Sequence, residues 1–196
     1  MAAESAVDKV PLEEHCVFAP AAEPGTAHRC EFFAFNTFAR LSAYGTLAQV
    51  EGALMQALDA CRRYERLLSK TLPHSDIARL NAAGGAVVPI SEDSFRVLEG
   101  SVGYCRKSQG CFDITLGPVI ALWDYRAGIV PSQERIEAAL AHTGWELLEL
   151  GGAPGARWAR LADPLASVDV GGTAKGYIAD RLCELLEAAG LRHFVV

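Results

Sequence analysis

The chain has 196 residues, a mass of 21.0 kDa and a formal net charge of −6. It is 51% apolar and 21% charged, which excludes a disordered chain, a collagen-like fibre and a disulfide mini-scaffold. A pI of about 5.4 carries no basic footprint for nucleic acid, and no apolar run reaches the roughly 18 residues that span a bilayer. Arg62, Arg63 and Arg66 cluster, but Glu65 sits among them. This length makes one domain, or one plus a partial second.

Residues 1–27 are rich in Ala, Pro and Glu and lack periodicity. A loosely ordered leader is therefore expected over 1–30, with the folded domain over 31–196. The first twenty residues include Glu4, Asp8, Lys9, Glu13 and Glu14, without the basic-then-apolar pattern of a secretory signal. The expectation is a cytoplasmic chain, or a cell-envelope one from which a signal has been removed. Cysteines stand at 16, 30, 61, 105, 111 and 183, with no Cys-x-x-Cys pair. They read as free thiols in a reducing compartment. His15, Cys16, His28 and Cys30 lie close in sequence but lack zinc-site spacing.

Glu31 to Tyr44 is dense in aromatic and small apolar residues and ends at Gly45, which suits a strand or hairpin. Val50, Leu54, Ala57, Leu58, Cys61 and Leu68 recur at helical spacing and predict a helix over 47–68, with Glu51, Arg62 and Glu65 outside the apolar stripe. Residues 69–85 are irregular, with a turn and short helix suggested by Ser75, Asp76 and Asn81. A helix over 92–108 has Ser91 as cap, Phe95, Leu98, Val102 and Cys105 inside, and Gly110 as its stop. Another over 133–142 has Ser132 as cap, Ile136, Ala139 and Leu140 inside, and Gly144 as terminator. Strands are expected at 145–150, 157–162 and 166–170, the first two joined across Gly151 to Gly155. A helix over 175–189 ends at Gly190, and the last six residues open a strand. Helices mixed with hairpin signals make this an α+β chain, with a mixed, largely antiparallel sheet and packed helices.

Two segments stand out chemically. Asp169 precedes the turn Gly171-Gly172-Thr173-Ala174 and then Lys175-Gly176-Tyr177. Glycines let backbone approach a ligand, and a helix N-terminus with a lysine suits phosphate. A tight strand-to-helix turn explains the same residues equally well, and the spacing is neither a Walker A loop nor GxGxxG. Gly110 to Pro118 brackets Asp113 with glycines, and Trp123 follows. On its own this reads as a turn in which Asp113 satisfies backbone donors.

Four ordered segments together resemble the ApbE-type flavin transferases, the FAD:protein FMN transferases. They are Phe35-Asn36-Thr37, the run from Leu68 to Asn81, the run from Gly110 to Pro118 with Leu122-Trp123, and the run from Asp169 to Tyr177; the match covers about residues 32–196. The resemblance implies FAD and Mg2+ as cofactors. It implies transfer of FMN from FAD to a threonine of a target flavoprotein, with release of AMP. By position, Phe35, Thr71, Cys111, Phe112, Asp113, Asp169 and Lys175 would contact FAD, with Lys175 close to the phosphates and acting in transfer. Gly172 falls where the family offers a main-chain carbonyl to the metal. Thr71 stands where the family often has a tyrosine, so a stacking surface would pass to Trp123 or Tyr125. Family members continue into a segment whose Asp and Thr or Ser complete the metal site, so the chain reads as the N-terminal portion. The alternatives are a short FAD-binding paralogue without transfer, and a hydrolase that splits FAD.

Overall fold

Alternation builds the first sheet. In His28–Ala34, residues 28, 30, 32 and 34 are buried while Arg29 and Glu31 are exposed, so every second side chain enters the core. The computed structural model describes residues 16–35 and 37–196. In chain order its elements are β1 (Cys16–Ala19), β2 (His28–Ala34), β3 (Thr37–Ala43), α1 (Leu47–Leu68), α2 (Asp76–Asn81), β4 (Val88–Pro89), α3 (Glu92–Lys107), α4 (Gly117–Ile120), α5 (Gln133–Leu140), β5 (Leu148–Gly151), β6 (Trp158–Leu161), α6 (Ala174–Ala188) and β7 (Phe194–Val195). The chain is α+β, and its residues divide into two compact units, 1–65 with 178–196, and 66–177.

The first unit holds a four-stranded antiparallel sheet in the order β1-β2-β3-β7. A two-residue connection turns β2 into β3, with Ala34 opposite Thr37. The final strand pairs with β3 through Ser42 opposite Val195 and Ala43 opposite Phe194. The predicted stripe of α1 is buried from Val50 to Cys61, and α6 adds Ile178, Leu182 and Leu186. The terminus of α6 is a Schellman closure: the Leu191 N–H reaches the Leu186 carbonyl, the Gly190 N–H reaches Glu187, and Gly190 takes φ +82°.

Strand pairing begins within the expected leader. Cys16 to Ala19 pairs with Arg29 to Phe32, so residues 16–19 and 28–30 belong to the sheet. The misreading has a simple cause: a four-residue edge strand is too short to declare a period. Residues 1–15 of that leader lie outside the described residues. Glu65 also differs from expectation: it is buried, with its carboxylate turned to a backbone donor of the β2–β3 turn.

The second unit holds a three-stranded antiparallel sheet in the order β4-β6-β5 with α2, α3, α4 and α5. Ser75, Ser91 and Ser132 cap α2, α3 and α5 by accepting the N–H groups of Ala78, Ser94 and Arg135. α3 ends at Lys107, one residue short of the expected end: Gln109 takes φ +55°, and the Gly110 N–H closes onto the Cys105 carbonyl. Residues 145–147 form a single 3-10 turn, so β5 starts only at Leu148. α5 buries no residue, and Leu140, expected inside, is exposed. The expected strand over 166–170 has no sheet partner beyond one isolated parallel bridge between Ser167 and Leu116. Its apolar residues Ala166, Val168 and Val170 are buried, and that burial produced the strand-like alternation. Among the described residues, no helix is long and apolar enough to cross a membrane.

Candidate functional site

Three segments far apart in sequence meet at Val168 and Asp169, all within the second unit. Asn81, at the end of α2, donates from Nδ2 to the Val168 carbonyl and accepts the Val168 N–H on Oδ1, at 2.9 and 2.8 Å. The Asp169 N–H donates to the Ile114 carbonyl at 2.8 Å. Lys70 Nζ lies 2.6 Å from Asp169 Oδ2. The runs containing Lys70 and Asn81, Asp113 to Gly117, and Val168 to Lys175 therefore form one structural cluster.

Asp169 is half-buried. Its Oδ1 accepts the Gly171 N–H at 2.8 Å, which shapes the turn into α6. Burial pushes its carboxyl up. The hydrogen bonds from Lys70 and Gly171, with the charges of Lys70 and Lys175, outweigh that push and hold it below the usual carboxylate range. Lys175, exposed in the first turn of α6, curls back so that Nζ donates to the Gly171 carbonyl at 3.2 Å. Two ammonium groups, Lys175 from the turn and Lys70 from a distant segment, thus stand beside a helix N-terminus, an arrangement suited to phosphate oxygens.

Gly172 is exposed, and its backbone passes close to the Phe112 ring: a Cβ there would lie 2.9 Å from Phe112 Cε2. Two sequence-predicted positions are thereby neighbours. Gly117 has a sharper constraint, since a Cβ would lie 2.2 Å from Ser167 Oγ and 2.5 Å from the Ser167 carbonyl oxygen. That glycine lets the Asp113 segment run beside residues 166–169.

Asp113 is turned inward to its own loop. Oδ1 accepts the Thr115 N–H and hydroxyl at 2.8 and 2.7 Å, and Oδ2 accepts the Trp145 N–H at 3.0 Å. Thr115, fully buried, accepts the Gly144 N–H at 2.7 Å. The carboxylate thus stitches the 113–115 loop to residues 144–145. Cys111 is exposed, Phe112 half-buried, and Thr71 exposed with its hydroxyl 3.1 Å from Ser69 Oγ. Of the two stacking candidates, Trp123 is half-buried and Tyr125 exposed.

Phe35 belongs to the first unit. It occupies the β2–β3 turn at φ +53°, a left-handed conformation that costs a non-glycine residue. Its N–H donates to the buried Glu65 carboxylate at 2.7 Å, which compensates that cost. His28 is committed as well: Nδ1 accepts the Ala21 N–H at 3.1 Å, and Nε2 lies 3.2 Å from the Gly45 carbonyl oxygen.

Among the described residues no group of three or more His, Cys, Asp or Glu side chains converges as a metal would require. Asp169, the carboxylate at the glycine turn, already faces the Lys70 ammonium. The described residues do not make a divalent-metal shell by themselves.

Lys70 and Asn81 lie in a family motif, yet the sequence assigns neither a functional role and reads Asn81 only as part of a turn and short helix. Their partners stand 99 and 87 residues away, beyond the reach of any local pattern.

The model of the ApbE family matches residues 35–196. The chain belongs to the ApbE family. A FAD:protein FMN transferase of Klebsiella pneumoniae (strain 342) is 32% identical over 186 residues, covering 90% of this chain and 52% of that protein. One of Treponema pallidum (strain Nichols) is 31% identical over 166 residues, covering 80% and 45%. Among solved structures, the ApbE protein of Thermotoga maritima superimposes with a TM-score of 0.76 at 24% identity, covering 84% of this chain and 53% of that one. The flavin transferase ApbE of Vibrio cholerae gives a TM-score of 0.75 at 21% identity, covering 86% and 56%. These structures share the ApbE fold with this chain, which spans about half the length of the curated relatives it matches.

Proposed function

We propose that this chain is the flavin-nucleotide-binding portion of an FAD:protein FMN transferase. The observation that carries the reading is the meeting of three family motifs at Asp169, beside a glycine turn that opens α6 and is flanked by the ammonium groups of Lys70 and Lys175. Asp169 binds the nucleotide part of FAD. Lys175 faces the pyrophosphate, and Phe112 packed on Gly172 forms one wall. Cys111 and Thr71, both exposed, lie on two of these motifs as further FAD contacts; for Phe35 a flavin contact follows from the family resemblance alone. Asp113 acts indirectly, because its carboxylate is spent on the loop that carries Phe112.

In the proposed reaction the hydroxyl oxygen of an acceptor threonine attacks the FMN phosphorus. The pyrophosphate P–O bond breaks, AMP leaves, and the hydroxyl proton passes to solvent or a base. Such transfers depend mainly on positioning and on neutralising phosphate charge. A lysine that neutralises charge growing on the phosphates acts mainly in the transition state. The Gly172 carbonyl would be one donor to magnesium, which when bound would offset charge on the phosphate oxygens.

The test is incubation with FAD, Mg2+ and a threonine peptide taken from a flavoprotein acceptor, followed by mass spectrometry. The proposal predicts a peptide heavier by FMN less one water, with AMP in equal amount. Lys175→Ala should lower the transfer rate more than FAD affinity. Free FMN with AMP and no modified peptide would favour the FAD-splitting hydrolase. Bound FAD that stays intact would favour the paralogue without transfer.

A further inference from the structure

We propose that Lys70 is a positioning residue for flavin-nucleotide binding: its ammonium fixes the orientation of the Asp169 carboxylate presented to the nucleotide. The proposal rests on the reading of Asp169 as a nucleotide contact.

The terminal torsion of an aspartate is broad, so a half-exposed carboxylate turns freely unless donors hold it. Here each oxygen has its own donor. Oδ1 takes the Gly171 N–H at 2.8 Å and Oδ2 takes Lys70 Nζ at 2.6 Å. An ionised carboxylate has about four acceptor positions, so two donors fix its plane and leave room for a ligand. Lys70 rather than Lys175 does this: the Lys175 ammonium hydrogen-bonds the Gly171 carbonyl.

Exposed ion pairs ordinarily contribute little, because holding two long side chains offsets the attraction. This pair is different in its supports. Ser69 Oγ accepts the Thr71 and Leu72 N–H groups, each at 3.2 Å, and so sets the backbone on either side of Lys70. The Ser69 carbonyl accepts the Ser75 hydroxyl, and Ser75 caps α2. At the far end of α2, Asn81 grips Val168, the residue before Asp169. Both partners therefore sit on backbone that is already tied together. The side chains are 46% and 23% exposed, so a nucleotide can reach them. The electrostatics agree: Lys70 is the strongest of the two cations that lower the Asp169 carboxyl.

The experiment is calorimetric titration of FAD into the parent chain, K70A, K70R, D169N and the K70A/D169N double variant, with thermal midpoints measured in parallel. Losing one hydrogen bond to a charged group should weaken FAD binding in K70A by roughly ten- to a hundred-fold. K70R should recover most of the affinity, since a guanidinium also donates to a carboxylate. The double variant should bind no more weakly than D169N alone, because Lys70 acts through Asp169. The thermal midpoint of K70A should stay close to that of the parent, which a purely structural role would not allow. If K70A does not fold, K70M carries the same comparison. Unchanged affinity in K70A overturns the proposal, as does a double variant whose losses add. A parent chain that does not bind FAD removes the nucleotide reading itself, and this proposal with it.

Discussion

Asn81 binds both backbone groups of Val168, its amide nitrogen donating to the carbonyl at 2.9 Å and its amide oxygen accepting the N–H at 2.8 Å. Val168 is only 1% exposed, so water cannot easily replace either bond. This one side chain substitutes for a strand partner along residues 166–170. Asn81→Ala leaves two backbone groups short of partners and should lower the unfolding free energy by about 1–3 kcal/mol. Asn81→Asp turns the donor into a second acceptor facing the Val168 carbonyl oxygen, so its loss should be at least as large. Urea unfolding of the three chains checks the order.

Gly117 and Gly100 should respond to alanine in opposite directions. A Cβ at Gly117 would collide with the backbone oxygen of Ser167 at 2.5 Å, and neither segment can yield without disturbing its hydrogen bonds. Gly117→Ala should cost roughly 1–3 kcal/mol or more as an overpacked contact. Gly100 lies exposed within α3, with nothing within 4 Å of the added carbon. Gly100→Ala should stabilise by about 0.5–1 kcal/mol through helix propensity. Thermal unfolding of both variants tests the contrast.

Asp76 supplies an acid-sensitive part of the stability. Burial pushes its carboxyl up, but the N–H of Ser91, the hydroxyls of Ser94 and Ser91, and Arg79 together hold it below the ordinary value of 3.8. A carboxyl depressed on folding stabilises the fold above its unfolded pKa, and the gain is lost as pH falls through the folded value. Asp76→Asn should therefore be less stable than the parent at pH 7. The gap should narrow as pH drops below the ordinary value of 3.8. Denaturant unfolding of both chains from pH 7 downward measures it.

Much of this architecture was legible because its causes are local. The stripe from Val50 to Leu68, the caps Ser91 and Ser132, and Gly190 are each fixed by neighbours within a turn or two. The segment 166–170 was misread for a physical reason: its alternating burial is real, but its backbone partners are a side chain and a loop carbonyl rather than a strand. On α5, Ile136 and Ala139 are half-buried as the periodicity predicts, while Leu140 at the helix end is exposed. At the site, the glycine turn and Asp113 announced themselves by composition. Lys70 did not, because an ion pair between residues 70 and 169 leaves no trace in either segment alone.

The account stands most directly on whether Asp169 belongs to a flavin-nucleotide site. The measurement is FAD binding by calorimetry to the parent chain and to Asp169→Ala, with and without Mg2+. The account predicts saturable binding by the parent and affinity at least tenfold weaker in the variant, about 1.4 kcal/mol. Equal affinity in the two chains, or no binding by the folded parent, would contradict it.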